Sequence, residues 1–484
     1  MIDVYIGLDQ GTASTRAILF DDNFAIVHEA RREFKQYYPK EGWVEHNPEE
    51  IWQTVQEVLE ECKRVAQSRS EKIRALGITN QRETIIAWDS VSKEVLYNAI
   101  VWQCRRTSNR STFLRQNYGS AIKERTGLVV DPYFSATKME WLIDNVESVK
   151  NSYNKGTLRF GTIDSFLAWK LTGRHVTDYS NASRTMLFNI HTLDWDDDLL
   201  ELFNVKHEFL PELVDTAQYV GETSDGIPVA SLIGDQQSAL FGQTAYNKGD
   251  VKCTLGTGSF ILMNTGEEII KSRHNLLSTI GWKIGNEIVY ALEGSVFTTG
   301  TLISYMTKNL GFGKNSTELT DLALQVGNNG GIYFVPALTG LGAPYWDPFA
   351  RGLIIGLTPS SDKRHIIYAA FEGIAFSVAE LVNLMKIESG LDINTLKIDG
   401  GVSKNDLVMQ ILSDAVKTVV ERPINRETTA LGAASLSAIA LGLTNKEKLK
   451  EIRKIDRIFT PKQEREEEFE RWKQAVNRAL NWES

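Results

Sequence analysis

Two short glycine–threonine turns, one early in each half of the chain, constrain the fold more than any other feature. The first is Gly11-Thr12, between the apolar stretches at residues 6–8 and 17–20. The second is Gly256-Thr257-Gly258, again between two apolar stretches. Such a turn presents backbone N–H groups and a hydroxyl, which are groups that hold an anion. The repeat predicts a duplicated lobe with phosphate groups held between the two copies.

The length and charge of the chain limit the possible architectures and partners. A chain of 484 residues exceeds one comfortable core, and we expect two domains at residues 1–246 and 247–484. The net charge of −9 argues against a nucleic acid or an anionic membrane as partner. It leaves a nucleotide site open, because such a site needs only local positive potential.

No targeting segment or membrane span is recognisable in the sequence. The N-terminus lacks a basic region followed by an apolar one, and the apolar stretch at residues 429–442 is too short to cross a bilayer. The three cysteines, Cys62, Cys104 and Cys253, form no paired motif, which favours a reducing compartment. We therefore expect a cytoplasmic protein.

The first lobe begins with a predicted antiparallel meander, followed by a helix and another strand. Asn47 is a good N-cap and Pro48 suits the first helical position, so a helix is expected from there to about residue 63. The strands are expected at residues 4–8, 16–20, 25–30 and 73–78. This order is typical of a ribonuclease-H-like α/β lobe.

The second lobe is predicted to begin near residue 246, just before the second turn. A long helix is expected at residues 365–389, and a strand at residues 395–398 runs into Asp399-Gly400-Gly401. Near the C-terminus, apolar residues recur at helical spacing and predict a packing helix. These residues are Phe469, Trp472, Val476 and Leu480.

Phosphoryl transfer needs a phosphate cradle, a metal holder and a base for the acceptor hydroxyl. The chain has no P-loop and no dinucleotide fingerprint, so the cradle is assigned to residues 11–14 with Arg16 behind them. Asp9 ends the first strand and is placed to hold Mg²⁺. Asp235 follows an apolar stretch and is either a helix N-cap or a general base.

The adjacent residues Arg82 and Glu83 are candidates for binding a polyol. A guanidinium donates to hydroxyl oxygens, and a carboxylate accepts from hydroxyl groups. The alternative is a surface ion pair that stabilises by only about 0–1 kcal/mol. Trp102 and Tyr133 either cover the carbon face of such a ligand or belong to the core. Asp399-Gly400-Gly401 either lies against a base or ribose or is a plain turn.

Taken together, these segments resemble the FGGY family of carbohydrate kinases, and within it the members that phosphorylate glycerol. The resemblance covers essentially the whole chain. Its motifs include GLDQGTASTRAILF (7–20), GITNQRET (77–84), NAIVWQCRRT (98–107), HVTDYSNASRTMLFNIHTLDWDD (175–197), GDQQSALFGQ (234–243), TLGTGSFILMNTG (254–266), ALEGSV (291–296), GLGAPYWDPFARG (340–352) and DGGVSKND (399–406). The resemblance implies an α/β protein with two ribonuclease-H-like lobes of the actin and hexokinase superfamily and an ATP cleft between them.

The resemblance also implies roles for individual residues. Asp235 would be the general base, with glycerol bound by Arg82, Glu83, Trp102, Tyr133, Asp235, Gln236 and Phe260. ATP would be held by Thr12, Ala13, Ser14, Arg16, Thr257, Gly300, Gly401 and Asn405, with Mg²⁺ at Asp9 and Asp235. The products would be sn-glycerol 3-phosphate and ADP, in a dimer or tetramer of the chain. Lobe closure would exclude water, which competes as an acceptor.

Two other functions fit the sequence less well. A kinase for another polyol or ketose on the same fold needs a deeper acceptor pocket than Trp102, Tyr133 and Phe260 suggest. An actin-like module that uses ATP for assembly needs no polyol clamp, so Arg82, Glu83 and Asp235 argue against it.

The loop at residues 220–227 predicts one regulatory property. Some bacterial members of the family have a longer loop there, with glycine and arginine, that binds an inhibitory sugar bisphosphate. This loop is short, and no arginine occurs from residue 185 to residue 272. We expect fructose 1,6-bisphosphate to leave the rate of ADP release unchanged in a coupled kinase assay; tight inhibition would contradict this.

Overall fold

A computed structural model describes residues 2–483 and contains two large sheets, one in each half of the chain. The strands of the first half are β1 (Asp3–Gln10), β2 (Ser14–Phe20), β3 (Ile26–Glu33), β4 (Glu45–His46), β5 (Lys72–Asn80), β6 (Ile86–Asp89), β7 (Ala99–Ile100), β8 (Leu158–Gly161), β9 (Val176–Asp178), β10 (Phe188–Asn189), β11 (Asp194–Trp195), β12 (Glu212–Val214), β13 (Ala217–Glu222) and β14 (Pro228–Gly234). Its helices are α1 (Pro48–Ser68), α2 (Ser108–Thr126), α3 (Ala136–Asn145), α4 (Glu147–Lys155), α5 (Ile163–Thr172), α6 (Tyr179–Ala182), α7 (Asp197–Leu202) and α8 (Asp235–Gly242).

The second half contains nine strands and seven α-helices within the described residues. The strands are β15 (Val251–Leu255), β16 (Ser259–Gly266), β17 (Leu277–Ile284), β18 (Glu287–Val296), β19 (Tyr333–Val335), β20 (Leu353–Ile355), β21 (Thr395–Asp399), β22 (Val419–Pro423) and β23 (Ile455–Phe459). The helices are α9 (Gly300–Lys308), α10 (Ser316–Val326), α11 (Lys363–Ser389), α12 (Asp406–Val416), α13 (Thr428–Ala440), α14 (Lys446–Ile452) and α15 (Glu466–Ala479).

The two large sheets share one five-stranded plan. In the first, the order is β13-β14-β5-β1-β2-β3, with β1, β2 and β3 antiparallel and β5 and β14 parallel to β1 and to each other. In the second, the order is β17-β18-β16-β15-β21-β22-β23, with β15, β16 and β18 antiparallel and β21 and β22 parallel to β15 and to each other. The predicted duplication and the α/β fold class are confirmed.

Helix α1 begins at the predicted residue because its first turn is capped. The Asn47 side chain accepts from the Glu49 backbone N–H at 2.9 Å, and Pro48 is the first helical residue. The helix ends at Ser68, five residues beyond the predicted end at 63, and Ala66 still lies on its buried face. The hydrophobic side of the helix therefore continues past the point where the sequence pattern weakens.

Helix α11 is long and apolar enough to cross a membrane by length and composition alone. Most of its apolar window, 83%, is buried inside the protein, so it is the central core helix of the second half. Helix α15 packs on the same core, where Trp472 donates to the Phe334 backbone carbonyl at 3.0 Å. The apolar residues at helical spacing near the C-terminus thus form a packing helix, as predicted.

Helix α13, from the second half, lies directly against the first sheet. A Cβ atom built on Gly7 of β1 would lie 2.1 Å from the Ala430 carbonyl oxygen, and one on Gly77 of β5 would lie 2.0 Å from that of Ala433. The same closeness occurs where α13 meets α8, at Gly242. Only glycine allows these backbones to touch. Helix α13 therefore belongs to the second half in sequence but packs on the sheet of the first. The domain boundary expected between residues 246 and 247 stays a prediction.

We expect Gly77→Ala to destabilise the protein, because the added methyl group overlaps the backbone of α13. Overpacking of this kind costs about 1–3 kcal/mol, and contact with rigid backbone raises that cost. Thermal unfolding measures the effect as a lower Tm. The matched control is Gly119→Ala in α2, whose new Cβ meets nothing closer than 3.9 Å; it should leave Tm unchanged or raise it slightly. Equal Tm values for both variants would contradict the close contact.

Candidate active site

The two glycine–threonine turns lie at corresponding places in the two sheets. Gly11 N–H donates to the Ser14 carbonyl at 3.0 Å, and Gly256 N–H donates to the Gly258 carbonyl at 2.9 Å. Each turn follows the first strand of its sheet, at the edge where the parallel strands end. A short internal hydrogen bond thus closes each loop, to the third residue on in the first turn and to the second residue on in the second, and the exposed tips are at Ala13 and Thr257.

Trp102 contacts residues beside both glycine–threonine turns. Its indole N–H donates to the Thr12 hydroxyl at 2.9 Å, which joins it to the first turn. Its ring lies 6.4 Å from that of Phe260, which follows the second turn on β16, and 5.5 Å from that of Tyr133. These three predicted residues therefore form one aromatic wall beside the first phosphate turn. Burial raises the pKa of Tyr133, so its hydroxyl stays protonated.

Arg82 is buried and paired with two carboxylates, those of Glu293 and Asp235. Its side chain is 2% exposed, and its two terminal nitrogens donate to both oxygens of Glu293 at 2.6 and 3.0 Å. Its Nε lies 3.2 Å from Asp235 Oδ1. The guanidinium thus has one fixed orientation, aimed at the predicted base. The surface ion pair considered from the sequence is wrong for this residue.

Glu83 pairs mainly with a residue other than its neighbour. Arg184 Nε donates to Glu83 Oε1 at 2.6 Å, whereas Arg82 Nε lies 3.9 Å from the same atom. The Glu83 backbone adopts a φ of 61°, in the left-handed region. Its carbonyl oxygen accepts from Ser135 Oγ at 3.0 Å and from Lys138 Nζ at 3.3 Å. These contacts hold the segment after β5 in a bent conformation beneath the aromatic wall.

Asp235 is the first residue of α8, and Gly234 occupies the N-cap position. The N-cap alternative for Asp235 is therefore wrong, although its Oδ1 accepts from the next backbone N–H, that of Gln236, at 2.7 Å. Its side chain keeps 26% of its surface exposed. Burial raises its pKa, Arg82 opposes that rise, and the negative charge of Asp9 adds to it. A carboxylate with a raised pKa and an open face suits proton transfer.

Gln236 is held by a buried lysine that sequence reasoning did not select. Lys252 Nζ donates to Gln236 Oε1 at 2.6 Å and to Thr254 Oγ1 at 3.1 Å. Burial lowers the pKa of Lys252. A lysine inside the largely apolar strand β15 was the available signal, because buried charged residues rarely lack a specific partner.

Asp9 and Asp235 form the acidic part of the site. Asp9 Oδ2 accepts from Arg16 at 2.7 Å, and Arg16 also pairs with Glu427 at 2.5 Å. The other Asp9 oxygen has no protein hydrogen bond among the described residues. Burial raises the pKa of Asp9, and this rise is partly offset by Arg16.

No group of three His, Cys, Asp or Glu side chains suited to a metal occurs in residues 2–483. Mg²⁺ needs only one or two carboxylates when phosphate oxygens and water complete its shell, so these two carboxylates fit it.

The predicted nucleotide residues of the second half lie around its glycine turn and the end of β21. Gly300 N–H donates to the Gly256 carbonyl at 3.0 Å, so the start of α9 lies directly against the second glycine turn. Gly401 faces open space, since a Cβ there would meet nothing within 4 Å. Asn405 caps α12 through Leu407 N–H at 3.1 Å and donates to Thr320 at 2.9 Å. Its side chain is thus already engaged within the protein.

A neutral histidine, not selected from the sequence, supports the first turn. Gln36 donates to the Thr12 carbonyl at 3.0 Å, and Gln81 donates to that of Gly11 at 3.1 Å. His46 lies between these glutamines, with Nε2 2.5 Å from Gln36 Oε1 and Nδ1 3.4 Å from Gln81 Nε2. The partners assign the proton to Nε2. Burial lowers the pKa of His46 to about 3.

The comparisons with known proteins agree with this geometry. The model of the N-terminal domain of FGGY carbohydrate kinases matches residues 4–242, and that of the C-terminal domain matches residues 251–441. The chain belongs to the FGGY family of carbohydrate kinases. Glycerol kinase 2 of Sulfolobus acidocaldarius is 49% identical over 99% of this chain and 98% of its own length. Glycerol kinase 2 of Thermotoga maritima is 48% identical over 99% of each chain.

Solved structures show the same relationship at the level of the FGGY fold. The crystal structure of Plasmodium falciparum glycerol kinase with ADP matches with a TM-score of 0.93 and 36% identity, over 99% of this chain and 98% of that one. Gluconate kinase from Lactobacillus acidophilus matches with a TM-score of 0.86 at 23% identity, over 99% and 97%, which shows the shared fold alone.

We expect His46 to make the protein less stable in acid. The unfolded chain protonates this histidine below about pH 6.5, whereas the folded chain does so only near pH 3. Between these values the unfolded state binds more protons, so stability falls as the pH falls. In a thermal scan from about pH 7 to about pH 4, Tm should fall less steeply for His46→Gln than for the wild type. The exposed His191→Gln is the control, and parallel curves for wild type and His46→Gln would contradict the assignment.

Proposed function

We propose that this chain transfers the γ-phosphoryl group of ATP to a terminal hydroxyl of glycerol, giving sn-glycerol 3-phosphate and ADP. The observation that carries the proposal is the contact of Arg82 with Asp235 beside the wall formed by Trp102, Tyr133 and Phe260. The near-half identity to relatives named glycerol kinase supports glycerol as the acceptor. A cytoplasmic location and a homo-oligomeric state belong to the same proposal.

The acceptor would lie between the aromatic wall and the buried charges. Its carbon atoms would face Trp102 and Phe260, while its hydroxyls would meet Arg82, Glu83, Tyr133 and Gln236. A small aromatic wall with a few fixed polar groups suits a short polyol, because apolar contact supplies affinity and the polar groups set orientation. Binding the acceptor in one pose also brings the reacting hydroxyl close to its base.

Asp235 would remove the proton from the attacking hydroxyl. The hydroxyl oxygen then forms a bond to the γ-phosphorus as the bond to the β-phosphate oxygen of ATP breaks, so ADP leaves with that electron pair. The Asp235–Arg82 contact keeps the carboxylate charged, and burial keeps it basic enough to accept a proton. Most of the remaining acceleration in phosphoryl transfer comes from positioning and charge stabilisation.

The phosphates would lie against the two glycine turns. Backbone N–H groups and hydroxyls of Thr12, Ala13, Ser14 and Thr257 suit the polyphosphate, with Arg16 behind the first turn and Gly300, Gly401 and Asn405 on the nucleoside side. Asp9 and Asp235 would hold Mg²⁺, which neutralises charge on the phosphate oxygens when bound. The mutual repulsion of these two carboxylates supports this assignment, because a cation between them relieves it.

We test the acceptor with a coupled assay of ADP release from Mg·ATP in the presence of glycerol, dihydroxyacetone, xylulose or gluconate. The proposal predicts that glycerol gives the highest kcat/KM and that glycerol 3-phosphate accumulates. A faster reaction with another acceptor would keep the reaction type and reassign the pocket. ADP release that ignores every acceptor would favour an actin-like module and contradict the proposal.

We expect Asp235→Asn to lower kcat by roughly 10²–10⁴, the usual contribution of a positioned base. Binding of ADP without Mg²⁺, measured by calorimetry, should stay close to that of the wild type, because Asp235 is assigned to the acceptor and to Mg²⁺ and not to the nucleotide itself. Asp392→Asn, at a residue whose side chain is 88% exposed, is the matched control and should leave kcat unchanged. Near-normal turnover of Asp235→Asn would remove this residue from the base role.

A further inference from the structure

Two residues without an assigned role, Glu293 and Arg184, complete the buried charge cluster under the acceptor site. Both side chains are 0% exposed. Glu293 lies on β18 of the second sheet, within the quoted motif ALEGSV, and Arg184 follows α6 in the first half. A carboxylate removed from water costs several kcal/mol unless it is well paired. Its presence in the middle of a buried strand therefore indicates a specific task.

Glu293 uses both of its oxygens. Oε2 accepts from Arg82 Nη1 at 2.6 Å, and Oε1 accepts from Arg82 Nη2 at 3.0 Å and from Arg184 Nη2 at 3.1 Å. Burial alone would raise its pKa, but Arg184 and Arg82 more than offset this and lower it. Glu293 is therefore ionised, and its two parallel bonds to Arg82 fix the plane of that guanidinium.

Arg184 connects the two carboxylates of the cluster. Its Nε donates to Glu83 Oε1 at 2.6 Å while its Nη2 reaches Glu293. Its guanidinium also lies 5.6 Å from the centre of the Tyr133 ring. One rigid side chain thus contacts Glu83, Glu293 and Tyr133. Two of these three are proposed acceptor ligands.

The contribution of each half to this cluster is unequal. Arg82, Glu83 and Arg184 come from the first half, and Glu293 alone comes from the second sheet. The orientation of Arg82 therefore depends on where β18 lies. A shift of about 1 Å in a positioning group can cost roughly 10²-fold in rate.

We propose that Glu293 and Arg184 are positioning residues that hold Arg82 and Glu83 in the orientation needed to bind the acceptor. Through Glu293, strand β18 of the second sheet takes part in acceptor binding without touching the acceptor. This inference deepens the proposed function and rests on it.

Glu293→Gln tests the proposal, because it keeps the shape of the side chain but turns an amide group toward guanidinium donors. We expect KM for glycerol to rise about 10- to 100-fold, the range of a lost charged contact. KM for ATP and the ADP dissociation constant should stay within about twofold of the wild type. Glu293→Asp, which keeps the charge, should recover part of the loss.

The matched control is Glu372→Gln in α11. Glu372 is also buried, and it pairs with buried Arg465 at 2.8 Å away from the acceptor site. This variant should lower Tm without changing KM for glycerol. If Glu293→Gln changes only Tm, as the control does, or raises both KM values equally, the positioning role is wrong. Arg184→Lys is the second variant, for use if Glu293→Gln does not fold. It keeps a positive charge but cannot bond both Glu83 and Glu293. It should also raise KM for glycerol, and an unchanged KM contradicts the proposal.

A double-mutant cycle shows whether Glu293 acts through Arg82. If it does, the loss in kcat/KM of Arg82→Lys combined with Glu293→Gln is smaller than the product of the single losses. A simple product contradicts the proposal. The wild type is measured beside the variants. If it shows no glycerol-dependent turnover, the proposed function is wrong. The cycle is then run with whichever acceptor of the panel is phosphorylated, so that the positioning role is judged separately.

Discussion

The buried ion pair between Arg82 and Glu293 is the interaction on which the candidate active site depends. Removing two charges from water is costly, and their attraction compensates only when the geometry is good and the other lone pairs are satisfied. Here both oxygens of Glu293 are bonded, and Arg184 supplies the third contact. Loss of one partner would leave the other charged and buried. The end of β5 and the middle of β18 must therefore keep a fixed position relative to each other.

The duplicated sheet explains why the remaining groups gather nearby. In the first sheet β1, β5 and β14 are parallel, and Gly11, Arg82 and Asp235 follow their carboxyl ends. In the second sheet β15 and β21 are parallel, and Gly256 and Gly400 follow theirs. Ligands of open α/β sheets bind outside the carboxyl ends of strands, where backbone N–H groups and side chains are free of the ladder. Two such edges, joined by α8 and α13, suit a nucleotide and its acceptor.

Local signals were sufficient to predict much of the fold. The meander β1–β3, the start of α1 at Pro48 and the helix that ends at Ser389 were predictable, because turn residues, caps and apolar periodicity act over a few residues. The repeat of the glycine turn predicted the duplication. Helix α13 was not predicted, because its alanines and its one glycine fit against another backbone rather than forming an apolar stripe. Its function as a bridge depends on contacts that no local pattern encodes.

The partners of the charged site residues were not predictable in the same way. Arg82 and Glu83 are neighbours in sequence and suggested a mutual pair, yet each is held mainly by another residue. The partner of Arg82 lies 211 residues away and that of Glu83 lies 101 residues away. A carboxylate inside the apolar strand β18 signals that a buried partner exists, but not which one.

A crystal structure of the protein with glycerol and a non-hydrolysable ATP analogue would show whether Arg82, while paired with Glu293, binds the acceptor beside Asp235. We expect glycerol density with its carbons against Trp102 and Phe260, a hydroxyl within hydrogen-bond distance of Asp235, and Arg82 still paired with Glu293. The terminal phosphate should lie between the two glycine turns. Glycerol bound elsewhere, or an Arg82 that leaves Glu293 to reach its ligand, would show that the Arg82–Glu293 pair does not position the acceptor.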